Sequence, residues 1–167
     1  MATTTVITFQ LNDNSTFSMH KNASVLMKTV RDLLEDVPSG STIPLPLETL
    51  TPKIMEYVKN YCEHYANNEN EQTMFYDKYD SNTTRCELSE WDNTFFKTLE
   101  LSDIKTLLHV SDYLNIPGLL ERLSKYFADN FVAGKTPDQL REIFGMPDDL
   151  TPEDKERLKN ENQWVYE

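Results

Sequence analysis

Cys62 and His64 stand two residues apart, and a thiol close to an imidazole is raw material for a nucleophile or for half of a metal site. His20, Cys86 and His109 are scattered, with no second pair at ligand spacing. A structural metal centre wants four clustered ligands, so the pattern implies none. A nucleophilic pair would need Cys62 or Cys86 to meet His109 in space. Cys86 falls in a polar stretch with no period to hold it in register. Cys62 falls on an apolar helical stripe, where packing accounts for it. His109 reads as a solvated or core histidine. The 4 glycines are not spaced for a phosphate cradle. The 28 Asp and Glu residues read mostly as a solvated face, and none is placed where burial would raise its pKa for acid–base work. These residues imply no catalytic site, no cofactor and no metal.

A chain of 167 residues allows one domain with extensions. Its net charge is −12, and binding to nucleic acid depends on Lys and Arg displacing counterions. Neither nucleic acid nor an anionic membrane surface is therefore an expected partner. Acidity does favour steering towards basic protein surfaces. Two cysteines are too few for a disulfide scaffold. The first residues form neither a basic nor an apolar leader, and no apolar run reaches bilayer length. A reducing cytoplasmic and nuclear setting is expected, with the sequons at Asn14, Asn22 and Asn82 as chance matches.

The elements that would have to position any functional residue are readable in outline. Alternation over Val6–Leu11, a polar turn at 12–15 and a second run over Thr16–Met19 predict a hairpin. Val25, Leu26, Val30, Leu33 and Leu34 predict a helix capped by Asn22 or Ser24. Ile43-Pro44-Leu45-Pro46-Leu47 predicts an edge strand, because two prolines exclude a central one. Thr51-Pro52 predicts a helix start, with Ile54, Met55, Val58, Tyr61, Cys62 and Tyr65 on one stripe. Between about 66 and 88 no period survives, which predicts a polar surface loop in which Met74, Phe75, Tyr76 and Tyr79 are a candidate docking patch.

After Ser89 the chain reads as nearly all helix. Trp91, Phe95 and Phe96 anchor the first. Ile104, Leu107, Leu108, Ser111 and Leu114 form the next stripe, and a turn follows at 115–118. Leu119, Leu120, Leu123, Tyr126, Phe127 and Phe131 form another, closed by Gly134. Thr136-Pro137 and Thr151-Pro152 repeat the cap-and-proline start. The helix bearing Leu140, Ile143 and Phe144 is about two turns long, and the last is charged nearly all round apart from Leu158. Elements this thin rarely stand alone, and apolar residues left uncovered mark a protein-interaction surface.

Several separated motifs then fall in one family's order. They are Trp91-Asp92-Asn93-Thr94-Phe95, Asp112-Tyr113-Leu114-Asn115-Ile116-Pro117-Gly118-Leu119-Leu120, Gly134-Lys135-Thr136-Pro137, Leu150-Thr151-Pro152-Glu153 and Glu161-Asn162-Gln163-Trp164. The chain resembles the S-phase-kinase-associated adaptors of SCF (Skp–cullin–F-box) ubiquitin ligases over nearly its whole length. The resemblance implies an α/β fold: a BTB/POZ-like domain over 1–133, a small mixed sheet with helices, followed by two added helices over 134–167. It implies a non-catalytic adaptor in ubiquitin-dependent degradation, with F-box proteins and a cullin as partners and weak homodimerisation open to the free chain.

Carried over residue by residue, the cullin-facing Asn-Tyr pair of the family falls on Asp112 and Tyr113. Aspartate there loses an amide donor, a change on the scale of about 1 kcal/mol. The usual Ala-Ala before the pair reads Val110-Ser111. The F-box-facing set falls on Leu119, Leu123, Phe127, Phe131, Leu140, Ile143, Phe144, Met146, Leu150 and Trp164. The family's Asn-Ile-Lys-Asn-Asp-Phe run reads Gly145-Met146-Pro147-Asp148-Asp149-Leu150, which keeps apolar residues at both key places. Pro152 stands where some protist members carry a proline that is hydroxylated and then glycosylated; its plainer reading is a helix-start proline. The substitution at Asp112 motivates a second reading, a structural paralogue that binds F-box-like or other proteins without a cullin. An elongin-C-like module would lack the two added helices.

Overall fold

The computed structural model describes residues 6–36, 38, 40–68 and 87–163. The predicted docking patch at 74–79, Cys86, Asn82 and Trp164 lie outside them. Strand β1 (Val6–Leu11) pairs antiparallel with β2 (Thr16–His20) and parallel with β3 (Thr42–Leu45), in the order β2-β1-β3. Phe9 is opposite Phe17 on one side and Ile43 on the other. Ile7, Phe9 and Leu11 are buried and the alternate residues are not, so the sheet has one core face. The hairpin turn is tied by Asp13, whose carboxylate accepts from the Ser15 amide at 2.9 Å. Asn14 there takes a left-handed φ of 65°, a conformation asparagine tolerates. Among the described residues strand β3 is an edge, as its proline requires: Pro44 has no N–H to leave unpaired.

One prediction needs correcting. The helix expected across Val25–Leu34 is two pieces, α1 (Lys21–Ser24) and α2 (Lys28–Asp36), with a break at 25–27. Neither Asn22 nor Ser24 starts it. Leu33 is 38% exposed and Leu34 half-buried, so the expected stripe does not face the core as a whole. Burial holds the Lys28 ammonium below its ordinary range, and Arg31 nearby adds to this.

Helix α3 (Pro52–Tyr65) begins as read. The Thr51 hydroxyl accepts from the Ile54 amide at 3.4 Å, Pro52 follows, and the six stripe residues are all buried. Helix α4 (Glu90–Lys97) starts with a reciprocal capping box between Ser89 and Asp92. Helix α5 (Leu101–Tyr113) and α6 (Pro117–Phe127) complete the core, with Phe96, Ile104, Leu107, Leu114 and Ile116 at or near zero exposure. Each such side chain contributes about 1.5–3 kcal/mol of burial.

By its contacts the chain divides into Met1–Phe127 and Ala128–Glu167. The second unit contains a π-helical turn (Ala128–Val132), α7 (Pro137–Phe144) and α8 (Pro152–Glu161). The π turn is closed by the Ala133 amide donating to the Ala128 carbonyl at 2.8 Å, five residues back. It packs against α7. No described residue of this unit is fully buried.

Candidate partner-binding surfaces

The first candidate surface is the C-terminal end of α5. Asp112 is exposed and Tyr113 half-buried. The helix ends in a Schellman arrangement: the Asn115 amide donates to the Asp112 carbonyl at 3.0 Å and the Ile116 amide to the Ser111 carbonyl at 2.9 Å. Asn115 takes the left-handed φ of 51° that this closure needs. Pro117 then starts α6 at once, so the pair sits at a sharp, well-defined corner.

The second candidate surface belongs to Ala128–Glu167. Helices α7 and α8 use one device. Thr136 and Gln139 form a capping box ahead of Pro137. The Thr151 hydroxyl accepts from the Asp154 amide at 3.2 Å ahead of Pro152. Helix α7 ends in a second Schellman arrangement, with the Met146 amide donating to Arg141 at 2.8 Å and Gly145 at φ 64°. In that motif the apolar residue after the glycine commonly packs back on its own helix. Met146 instead stays 52% exposed. Phe131, Leu140, Ile143, Phe144 and Leu150 are half-buried, and Leu158 is 37% exposed. A groove of about 470 Å³ is lined by Pro137, Leu150 and Leu158 together with the cationic Arg141, Lys155 and Lys159.

Sequence reasoning missed a charge cluster here. Arg141 donates to Asp138 at 2.8 Å and lies 3.9 Å from Asp148; Lys155 pairs closely with Asp148 and lies 4.0 Å from Asp138. It joins the segment between the two helices to both of them. Lys155 holds the Asp148 carboxyl below its ordinary range, and the Thr151 hydroxyl does the same for Asp154. The Asp138–Arg141 spacing was the visible signal; the link to Asp148 and Lys155 has no local signature.

A buried polar network was missed as well. Asp92 has 0% exposure, an exception to acidic residues that read mostly as a solvated face. It accepts from the Tyr65 hydroxyl at 3.0 Å and the Ser89 amide at 2.8 Å, and Arg122 Nε lies 3.4 Å away. Arg122 also donates to the Tyr61 hydroxyl at 2.8 Å and stands over the Tyr65 ring. Burial pushes the Tyr65 hydroxyl above its ordinary pKa. Paired in this way, the carboxylate is a structural joint among α3, α4 and α6. Cys62 is buried in the core, and His64 stacks on Trp91 at 3.8 Å. Among the described residues no group of His, Cys, Asp and Glu could hold a metal, and no helix is long and apolar enough to cross a membrane.

Residues 5–67 match the family model "Skp1 family, tetramerisation domain", and residues 117–165 match "Skp1 family, dimerisation domain". SKP1-like protein 3 of Arabidopsis thaliana is 34% identical over 97% of this chain and 96% of its own length. SKP1-like protein 4 of the same plant is 32% identical over the same shares. The chain belongs to the Skp1 family. The SCF ubiquitin ligase complex protein SKP1b of Dictyostelium discoideum is 30% identical over 95% of this chain and 94% of its own. The Skp1-family reading drawn from the ordered motifs and the α/β fold with a POZ-type N-terminal domain both hold.

Two of the expected F-box-facing residues need correcting in this Skp1-family chain. Leu119 and Leu123 have 0% exposure. They lie on the core side of α6, so neither can touch a partner while the helix stays packed. Phe127 is half-buried. Pro152 is exposed at the first position of α8, where its missing N–H costs nothing.

Proposed function

We propose that this chain is a non-catalytic adaptor of an SCF-type ubiquitin ligase, in which one surface holds an F-box protein and another holds a cullin. The observation that carries it is the state of Ala128–Glu167: well-capped helices, no fully buried residue among those described, and apolar side chains on view from Phe131 to Leu158. A segment with firm helix ends and little core of its own is built to complete its core with another chain's helices, the helix-in-groove mode. Phe131, Leu140, Ile143, Phe144, Met146 and Leu150 supply the grip, and methionine suits a surface that accepts varied partners. Trp164 belongs to the same reading by its motif. Asp112 and Tyr113 face the cullin. The similarity to a protein named for an SCF ubiquitin ligase complex supports the assignment. Cytoplasmic and nuclear localisation, and weak self-association of the free chain through its POZ-type domain, complete the reading.

The test is co-purification with an F-box peptide, comparing the full chain with a truncation ending at Gly134. Capture by the full chain alone is expected, and equal capture by both would refute the assignment.

A further inference from the structure

We propose that Thr29 is a positioning residue for the cullin-facing Asp112–Tyr113 corner, and that the first turn of α2 is the clamp through which it acts. The proposal rests on the reading of that corner as the cullin contact. A helix leaves its last four carbonyls without intrahelical partners. At the end of α5 the Schellman closure satisfies Ser111 and Asp112 and leaves the next three carbonyls in line: Tyr113, Leu114 and Asn115. Each of the three is met from α2. The Thr29 hydroxyl donates to Tyr113 at 3.0 Å, the Thr29 amide to Leu114 at 3.3 Å and the Lys28 amide to Asn115 at 3.1 Å.

The need is mutual. Met27 precedes α2, and methionine offers no oxygen to cap the first-turn amides. The Leu114 and Asn115 carbonyls, just past the end of α5, take the place of that cap. The dipoles also agree, since the positive start of one helix meets the negative end of another. This matters at Asp112 in particular. An anion in the last turn of a helix is disfavoured, and α5 has no basic residue there to offset it. The amides of α2 supply positive partial charge to that end. The break at 25–27 thereby gains a purpose, because an unbroken helix would have used the Lys28 and Thr29 amides internally.

The contact most specific to the corner is the Thr29 hydroxyl, which holds the carbonyl of a partner-facing residue itself. Thr29→Val keeps the shape and the backbone bonds and removes only this donor; Thr29→Ser keeps the donor. The measurement is affinity of the full-length chain for an immobilised cullin N-terminal fragment, with F-box peptide capture read in parallel. Thr29→Val is expected to weaken cullin binding about five- to tenfold, the scale of one hydrogen bond, with F-box capture unchanged and Thr29→Ser near wild type. Wild-type cullin affinity in Thr29→Val would overturn the proposal, as would a parallel loss of F-box capture, which marks a general structural role. Absence of cullin binding by the wild-type chain, with F-box capture intact, would remove the cullin assignment and this clamp's role together.

Discussion

Replacing Arg122 by methionine tests how the Met1–Phe127 unit holds its third, fourth and sixth helices together. Methionine keeps much of the aliphatic bulk and removes the charge. Asp92, at 0% exposure, would keep its bonds from Ser89 and Tyr65 but lose the Arg122 cation at 3.4 Å. Tyr61 would lose the donor now at 2.8 Å. Breaking a buried pair from one side costs about 3–5 kcal/mol. The neutral donors that remain place the expectation near the lower end, about 3 kcal/mol. Against a domain stability of about 5–15 kcal/mol this is a large fraction. Urea unfolding followed by far-ultraviolet circular dichroism reads it as a fall in midpoint at constant slope. A second arm adds Asp92→Asn, which removes the stranded charge while an amide oxygen still serves Ser89. The double variant should then be more stable than Arg122→Met alone, by about 1–2 kcal/mol. A loss under about 1 kcal/mol in the single variant, or purely additive losses in the double, would refute the reasoning.

Three further outcomes are expected. Thr136→Val and Thr151→Val each remove a hydroxyl cap and should cost about 0.5–2 kcal/mol of helix stability, visible as faster amide exchange confined to Ala128–Glu167. Asp148 and Asp154 have folded-state pKa values below their ordinary ones, so their contribution is present above the ordinary carboxylate range and is lost as pH falls through the folded values. A pH titration of helicity should therefore show loss of order at the acid end only, and Asp148→Asn should remove part of that dependence. Asp112→Asn restores an amide donor and removes an anion from a helix end, and should tighten cullin binding about fivefold, as measured by calorimetry.

Where the determinants are local, the fold was legible. Thr51-Pro52, Thr136-Pro137 and Thr151-Pro152 each carry a helix start within two residues, and each starts a helix. Pro44 marked an edge strand because a missing N–H is tolerated only there. Where the determinant lies far along the chain, it was not legible. The break before Lys28 depends on carbonyls of residues 113–115. Asp92 looks like a surface carboxylate until Arg122 arrives beside it. Leu119, Leu123 and Phe127 share one apolar stripe, but periodicity cannot say that the first two are spent on the core and Phe127 is not. The π turn is likewise silent in sequence, because its extra residue per turn changes no residue type. The apolar residues of α7 and the segment after it, from Leu140 to Leu150, were readable because those helices are too thin to hide them.

The adaptor account requires two surfaces occupied at once. Size-exclusion chromatography with light scattering, on the chain mixed with an F-box peptide and a cullin N-terminal fragment, reads this directly. The account predicts one species containing all three components in equal ratio. Two binary complexes that exclude each other, or F-box binding with the cullin fragment left free, would contradict it.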